Sequence, residues 1–119
     1  MDGRAQEPAA KWLKQRFGLD FIDTITEPGA DKFVAQANPA ALDYLKKKVI
    51  ISYEKHGSRI IAVAGHYDCA GNPVLYKEHL QHIRQAVAII KSWNLPETQI
   101  IGLWINENWQ VEETCSRRL

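Results

Sequence analysis

His66 and Cys69 stand three residues apart, directly after the apolar run at residues 59–64. Imidazole and thiolate are both good ligands for Zn²⁺, and a turn at a strand end brings them to one side. Zinc takes four tetrahedral positions, usually three from the protein when the site is catalytic, so the H-x-x-C pattern supplies only part of a donor set. Three readings of the pair are open. The first is a metal site. The second is a nucleophile with its base, since a neighbouring imidazolium lowers a thiol pKa. The third is a strand-end histidine satisfied by loop carbonyls, beside a buried cysteine serving as a small apolar residue.

The other candidates carry less. His79 and His82 share one face of a helix, where solvent exposure is the expectation, and His56 sits near a helix end, where it favours the dipole. Asp2 and Arg4 occupy the amino terminus, where fraying is the default. The three lysines at 46–48 read as a solvated helix face. There is no G-x-x-x-x-G-K-[ST] loop, no G-x-G-x-x-G fingerprint and no G-x-S-x-G elbow, which argues against nucleotide enzymes and α/β-hydrolases. Trp12, Trp93, Trp104 and Trp109 read as core or interface anchors.

The elements that must position these residues follow from periodicity. Residues 8–16 read as a helix, with Pro8 in its first turn and Gly18 as its stop. Residues 19–26 alternate apolar and polar side chains and read as a short strand, followed by a turn at 27–31. Asn38 and Pro39 open a longer helix to about His56, with Leu42, Leu45, Val49 and Tyr53 on one face. Residues 59–64 are a nearly unbroken apolar run, the pattern of a strand buried on both faces. A loop at 67–73 leads to an amphipathic helix over about 75–93, in which Leu80, Ile83, Val87 and Ile90 recur. Residues 99–105 give another apolar strand and 109–114 a weaker one. Strands alternating with helices predict an α/β fold: a small three-layer domain with a mostly parallel sheet flanked by helices. In such folds ligands bind beyond the carboxyl ends of the strands, which is where His66 and Cys69 fall.

Composition bounds the partners. The chain has 119 residues, 45% hydrophobic and 24% charged, as expected of a single globular domain able to hold a core without staples. Fifteen basic against fourteen acidic side chains give a net charge of +1, with no electrostatic footprint for nucleic acid or an anionic membrane. No apolar run approaches the ~18 residues of a membrane span, and no signal segment follows Met1, so the expected location is cytoplasmic. Cys69 and Cys115 allow at most one bridge, and free thiols or metal ligation are the expectation. Apolar surface on so small a domain suits a homodimer.

Taken together, the run IIAVAGHYDC at residues 60–69 resembles the strand and H-x-x-C segment of the β-class carbonic anhydrases, and Met1-Asp2-Gly3-Arg4 resembles the tail of their C-x-D-x-R segment. The order of helices and strands agrees along nearly the whole chain, and the wording of both motifs is similar to a short carbonic-anhydrase-like branch. The resemblance implies a carbonate dehydratase, a lyase hydrating carbon dioxide reversibly to bicarbonate. It implies Zn²⁺ held by His66 and Cys69 and by the first Cys of C-x-D-x-R, with Asp2 and Arg4 as the catalytic pair orienting a zinc-bound hydroxide. That first Cys would stand one residue before Met1. Cys115, far along the chain, is a poor substitute. The expectation is that a longer product supplies the missing strand and ligand. The rival is a non-catalytic dimeric scaffold with a small-anion or metal pocket near Arg4 and His66.

Overall fold

The computed structural model describes residues 1–119. Helix α1 spans Gly3–Phe17, and it starts earlier than Pro8 because Asp2 caps it, its side chain accepting from the Arg4 N–H at 2.9 Å. Pro8 therefore lies inside the helix, and Gly18, at φ 64°, ends it in the left-handed region. Helix α2 (Ala30–Gln36) replaces the end of the expected turn. Helix α3 (Pro39–Lys55) is capped by the Asn38 side chain, and α4 spans Tyr76–Lys91. No helix is long and apolar enough to cross a membrane.

The strands are β1 (Ile60–His66), β2 (Gln99–Ile105) and β3 (Val111–Arg118), in the order β1-β2-β3. β1 pairs with β2 in parallel and β2 with β3 antiparallel, so the sheet is mixed rather than mostly parallel. The cause is the tight return after β2. Asn106 Oδ1 accepts from the N–H groups of Asn108 and Gln110 at 2.9 and 3.0 Å, and Trp109 takes φ 58°, which closes a hairpin.

β2 is buried on both faces. On one side Ile100 packs with Val63, Ile83, Val87 and Ile90 beneath α2, α3 and α4. On the other, Ile101 and Leu103 pack with Leu13 of α1. β1, whose apolar run predicts burial on both faces, is not so covered: only Val63 and Gly65 are buried, because one edge and flank of the strand border an open groove. The α/β expectation holds, with four helices around a three-stranded mixed sheet.

Residues 19–26 are not a strand. Within 19–27 the only backbone hydrogen bonds are from Leu19 N–H to Lys14, which closes α1, and from the Met1 ammonium to the Glu27 carbonyl at 3.4 Å. Nor does burial alternate: Leu19, Ile22 and Ile25, three residues apart, are half-buried, whereas Phe21, expected on the apolar face, is 90% exposed. A strand needs a neighbouring backbone, and here none pairs with it. Between this segment and β1 lies a groove of about 1100 Å³, lined by Ile22, Ile25, Ala62, Ala64 and Leu103 among others. Arg59 and Tyr67 bond to β2, so the alternating N–H and C=O groups of Ile60, Ala62, Ala64 and His66 face that groove.

Candidate functional site

The carboxyl end of β1 gathers the sequence-selected residues. Asp2 caps α1 and Arg4 sits in its first turn, His66 ends β1, and Cys69 lies in the turn that follows. Asp2, His66 and Cys69 all line the same groove.

Asp2 and Arg4 are ordered by the helix they begin, not frayed. Arg4 Nη2 donates to Asp2 Oδ2 at 2.6 Å, and Nε reaches both Asp2 oxygens at 3.1 and 3.2 Å. Arg4 Nη1 donates to Asp68 Oδ2 and Nη2 to the Asp68 carbonyl, both at 3.3 Å. The guanidinium carbon stands 4.7 Å from the centre of the Trp109 ring, which is itself 6.4 Å from the His66 ring. Arg4 thus ties the start of α1 to the turn after β1 and to the β2–β3 hairpin. Most of its five N–H donors are engaged, so it acts here as a positioning group. The side-chain and backbone hydrogen bonds with Arg4, together with the charge of its guanidinium, hold the Asp2 carboxyl well below the usual carboxylate range. Asp2 therefore presents a carboxylate that can only accept hydrogen bonds.

His66 Nδ1 lies 2.8 Å from the Tyr67 carbonyl. An N–H at Nδ1 donating to that oxygen leaves Nε2 with its lone pair, the arrangement a metal-ligating histidine takes. Cys69 is a free thiol, 6% exposed. The chemistry of these two donors suits zinc, but the count does not: no group of three His, Cys, Asp or Glu side chains stands close enough to hold a metal ion. The residues present do not by themselves make a zinc site. Cys115, on β3, does not join them.

The reading of His79 is corrected by the structure, and two partners of it were missed. His79 is 2% exposed, and its Nδ1 lies 2.7 Å from Oδ2 of Asp31, which is 1% exposed. Asn72 Nδ2 donates to Asp31 Oδ1 at 3.1 Å and meets His82 Nδ1 at 2.9 Å. Asn72 Oδ1 is buried with no partner among the protein's own groups, while Nδ2 faces the Asp31 and His82 acceptors. Burial works to raise the Asp31 carboxyl, but the hydrogen bonds from His79 and Asn72 outweigh it and hold the group below its ordinary value. A signal for His79 was present: it stands four residues before Ile83 and eight before Val87, on the core stripe of α4. Asp31 and Asn72 carried none, since they belong to turn-like sequence.

The family model described as "Putative carbonic anhydrase" matches residues 1–115. No curated protein and no solved structure matches the chain. With nearly its whole length matched, the chain belongs to the family of that description.

Proposed function

We propose that this site serves carbonic-anhydrase chemistry, the reversible hydration of carbon dioxide to bicarbonate, with His66 and Cys69 as two of the donors for a zinc ion. The observation that carries the reading is the convergence of Asp2, His66 and Cys69 on one groove, with Arg4 bonded to Asp2 and to the Asp68 turn behind it and His66 Nδ1 held by a carbonyl. Asp2, kept ionised by Arg4, supplies a fixed acceptor able to orient a hydroxyl beside His66. Zinc needs a third protein donor as well, and no His, Cys, Asp or Glu beside His66 and Cys69 supplies it. The same reading gives the groove an occupant: a further strand, leading into Met1 and lying against the open backbone of β1, that brings the thiolate.

Three measurements test this. Intact mass of the protein from its natural source is expected to exceed that of residues 1–119. Elemental analysis of that protein is expected to give near one zinc per chain, lost in Cys69→Ser. Stopped-flow assay is expected to show carbon dioxide hydration above the buffer blank. A natural product beginning at Met1, free of zinc and with no rate above the blank, overturns the proposal.

The missing third donor favours a second reading, a non-catalytic scaffold that keeps the fold. Homodimer formation is proposed under either reading. It is supported by the exposure of Phe21 (90%) and Leu75 (77%), and sedimentation analysis checks it.

A further inference from the structure

The Asp31 network lies directly behind the candidate site. A Cβ added to Gly65, the residue before His66, would come within 2.7 Å of Asp31 Oδ2, so the carboxylate is packed against the end of β1. On its other side, Asn72 belongs to the same turn as Cys69, three residues further on. That turn is also pinned by backbone: a Cβ on Gly71 would meet Gly29 N at 2.5 Å, so the 28–29 turn before α2 and the 67–75 loop lie in contact. Asp31 therefore sees β1, the Cys69 turn through Asn72, and α4 through His79.

We infer that Asp31, Asn72 and His79 form a buried latch that fixes the Cys69 turn against the end of β1, which makes Asp31 the positioning residue of the His66–Cys69 pair. This deepens the function proposed above and rests on it for its purpose, though not for its geometry. The chemistry demands a carboxylate. Asp31 accepts at both oxygens, Oδ1 from Asn72 and Oδ2 from His79, and an asparagine offers one acceptor only. In Asp31→Asn one of the two tethers must face an N–H with its own N–H, and the link to the loop or to α4 is lost. In Asn72→Ala the Asp31–His79 pair survives and the loop alone is released.

The test is iodoacetamide labelling of the metal-free chain, followed by mass spectrometry at each cysteine. A buried thiol reacts through local opening, so the Cys69 rate reads how often its turn leaves its seat. Cys115, on β3, reports on general loosening. Both variants are expected to label Cys69 at least about tenfold faster than the parent, with the Cys115 rate changed less than about twofold. Equal acceleration at both cysteines would mean that the network merely stabilises the fold, and unchanged Cys69 labelling would mean that it holds nothing; either overturns the latch. If Asp31→Asn fails to fold, Asn72→Ala decides alone. Because labelling is read without metal, failure of the latch is distinguishable from failure of the zinc reading, which the stoichiometry measures.

Discussion

Two carboxylates flank the end of β1, and they have opposite surroundings. Asp31 is sealed between α2, the 67–75 loop and α4, with His79 and Asn72 as its partners. Asp2 is a quarter exposed at the mouth of the groove, with Arg4, itself half exposed, as its partner. Both are held below the ordinary carboxylate range by hydrogen bonds, yet the consequences differ. A sealed pair has exchanged water for protein partners and cannot lose one cheaply, whereas an open pair is screened and contributes little to stability. The first can hold geometry, and the second remains free to meet a ligand.

Removing the sealed carboxylate is the sharpest way to test that contrast. Asp31→Ala leaves the His79 N–H and the Asn72 amide buried without their acceptor, and the expected loss is about 3–5 kcal/mol in urea unfolding. A loss no larger than that from Asp2→Ala would erase the distinction between the two sites.

Next in size is the backbone contact that seals the loop. In Gly71→Ala the new methyl must displace the Gly29 N and Pro28 backbone, at 2.5 Å in each case, and backbone has nowhere to go. The expected cost is about 1–3 kcal/mol. Gly3→Ala, with nothing within 4 Å of its Cβ, is the control and should not lose stability on this account.

Acid separates the pairs more gently. A carboxyl whose folded pKa is lowered stabilises the fold fully above its unfolded value, and that contribution fades as pH falls through the folded value. For Asp31 the ordinary value is 3.8, so unfolding scans from pH 6 to pH 2 should show stability falling below about pH 4. The slope of that fall should be shallower in Asp31→Asn. An identical slope in the variant would assign the acid limb to other groups, such as Asp23, which Ser52 and His56 hold low on the far side of the groove.

What the sequence disclosed follows the same division. The apolar strands and α3 were legible because burial writes a period into the chain, and the H-x-x-C turn because its residue types are chemically unusual. The strand expected at 19–26 was legible as a pattern, but pairing depends on a neighbouring backbone that no local pattern records. The antiparallel return of β3 was set by one Asn106 side chain in a turn. The Asp31 network was hidden because its members lie 41 and 48 residues apart in sequence and only tertiary folding makes them partners.

The smallest stability effect belongs to the pair with the most to do at the surface. Arg4→Ala removes an exposed ion pair with Asp2, a contact with Asp68 and the stacking on Trp109, but leaves the Asp2 cap on the Arg4 N–H intact. Unfolding should therefore move far less than in Asp31→Ala. The Asp2 carboxyl should respond instead, because its principal hydrogen-bond partner is gone. Its titration, followed by carboxyl ¹³C shifts, should rise toward 3.8 in the variant. Holding stability while moving that titration would mean that Arg4 is there for the charge state of Asp2 and not for the fold. A titration left unmoved would give the role to the backbone cap and leave Arg4 as a strut between α1, the Asp68 turn and the hairpin.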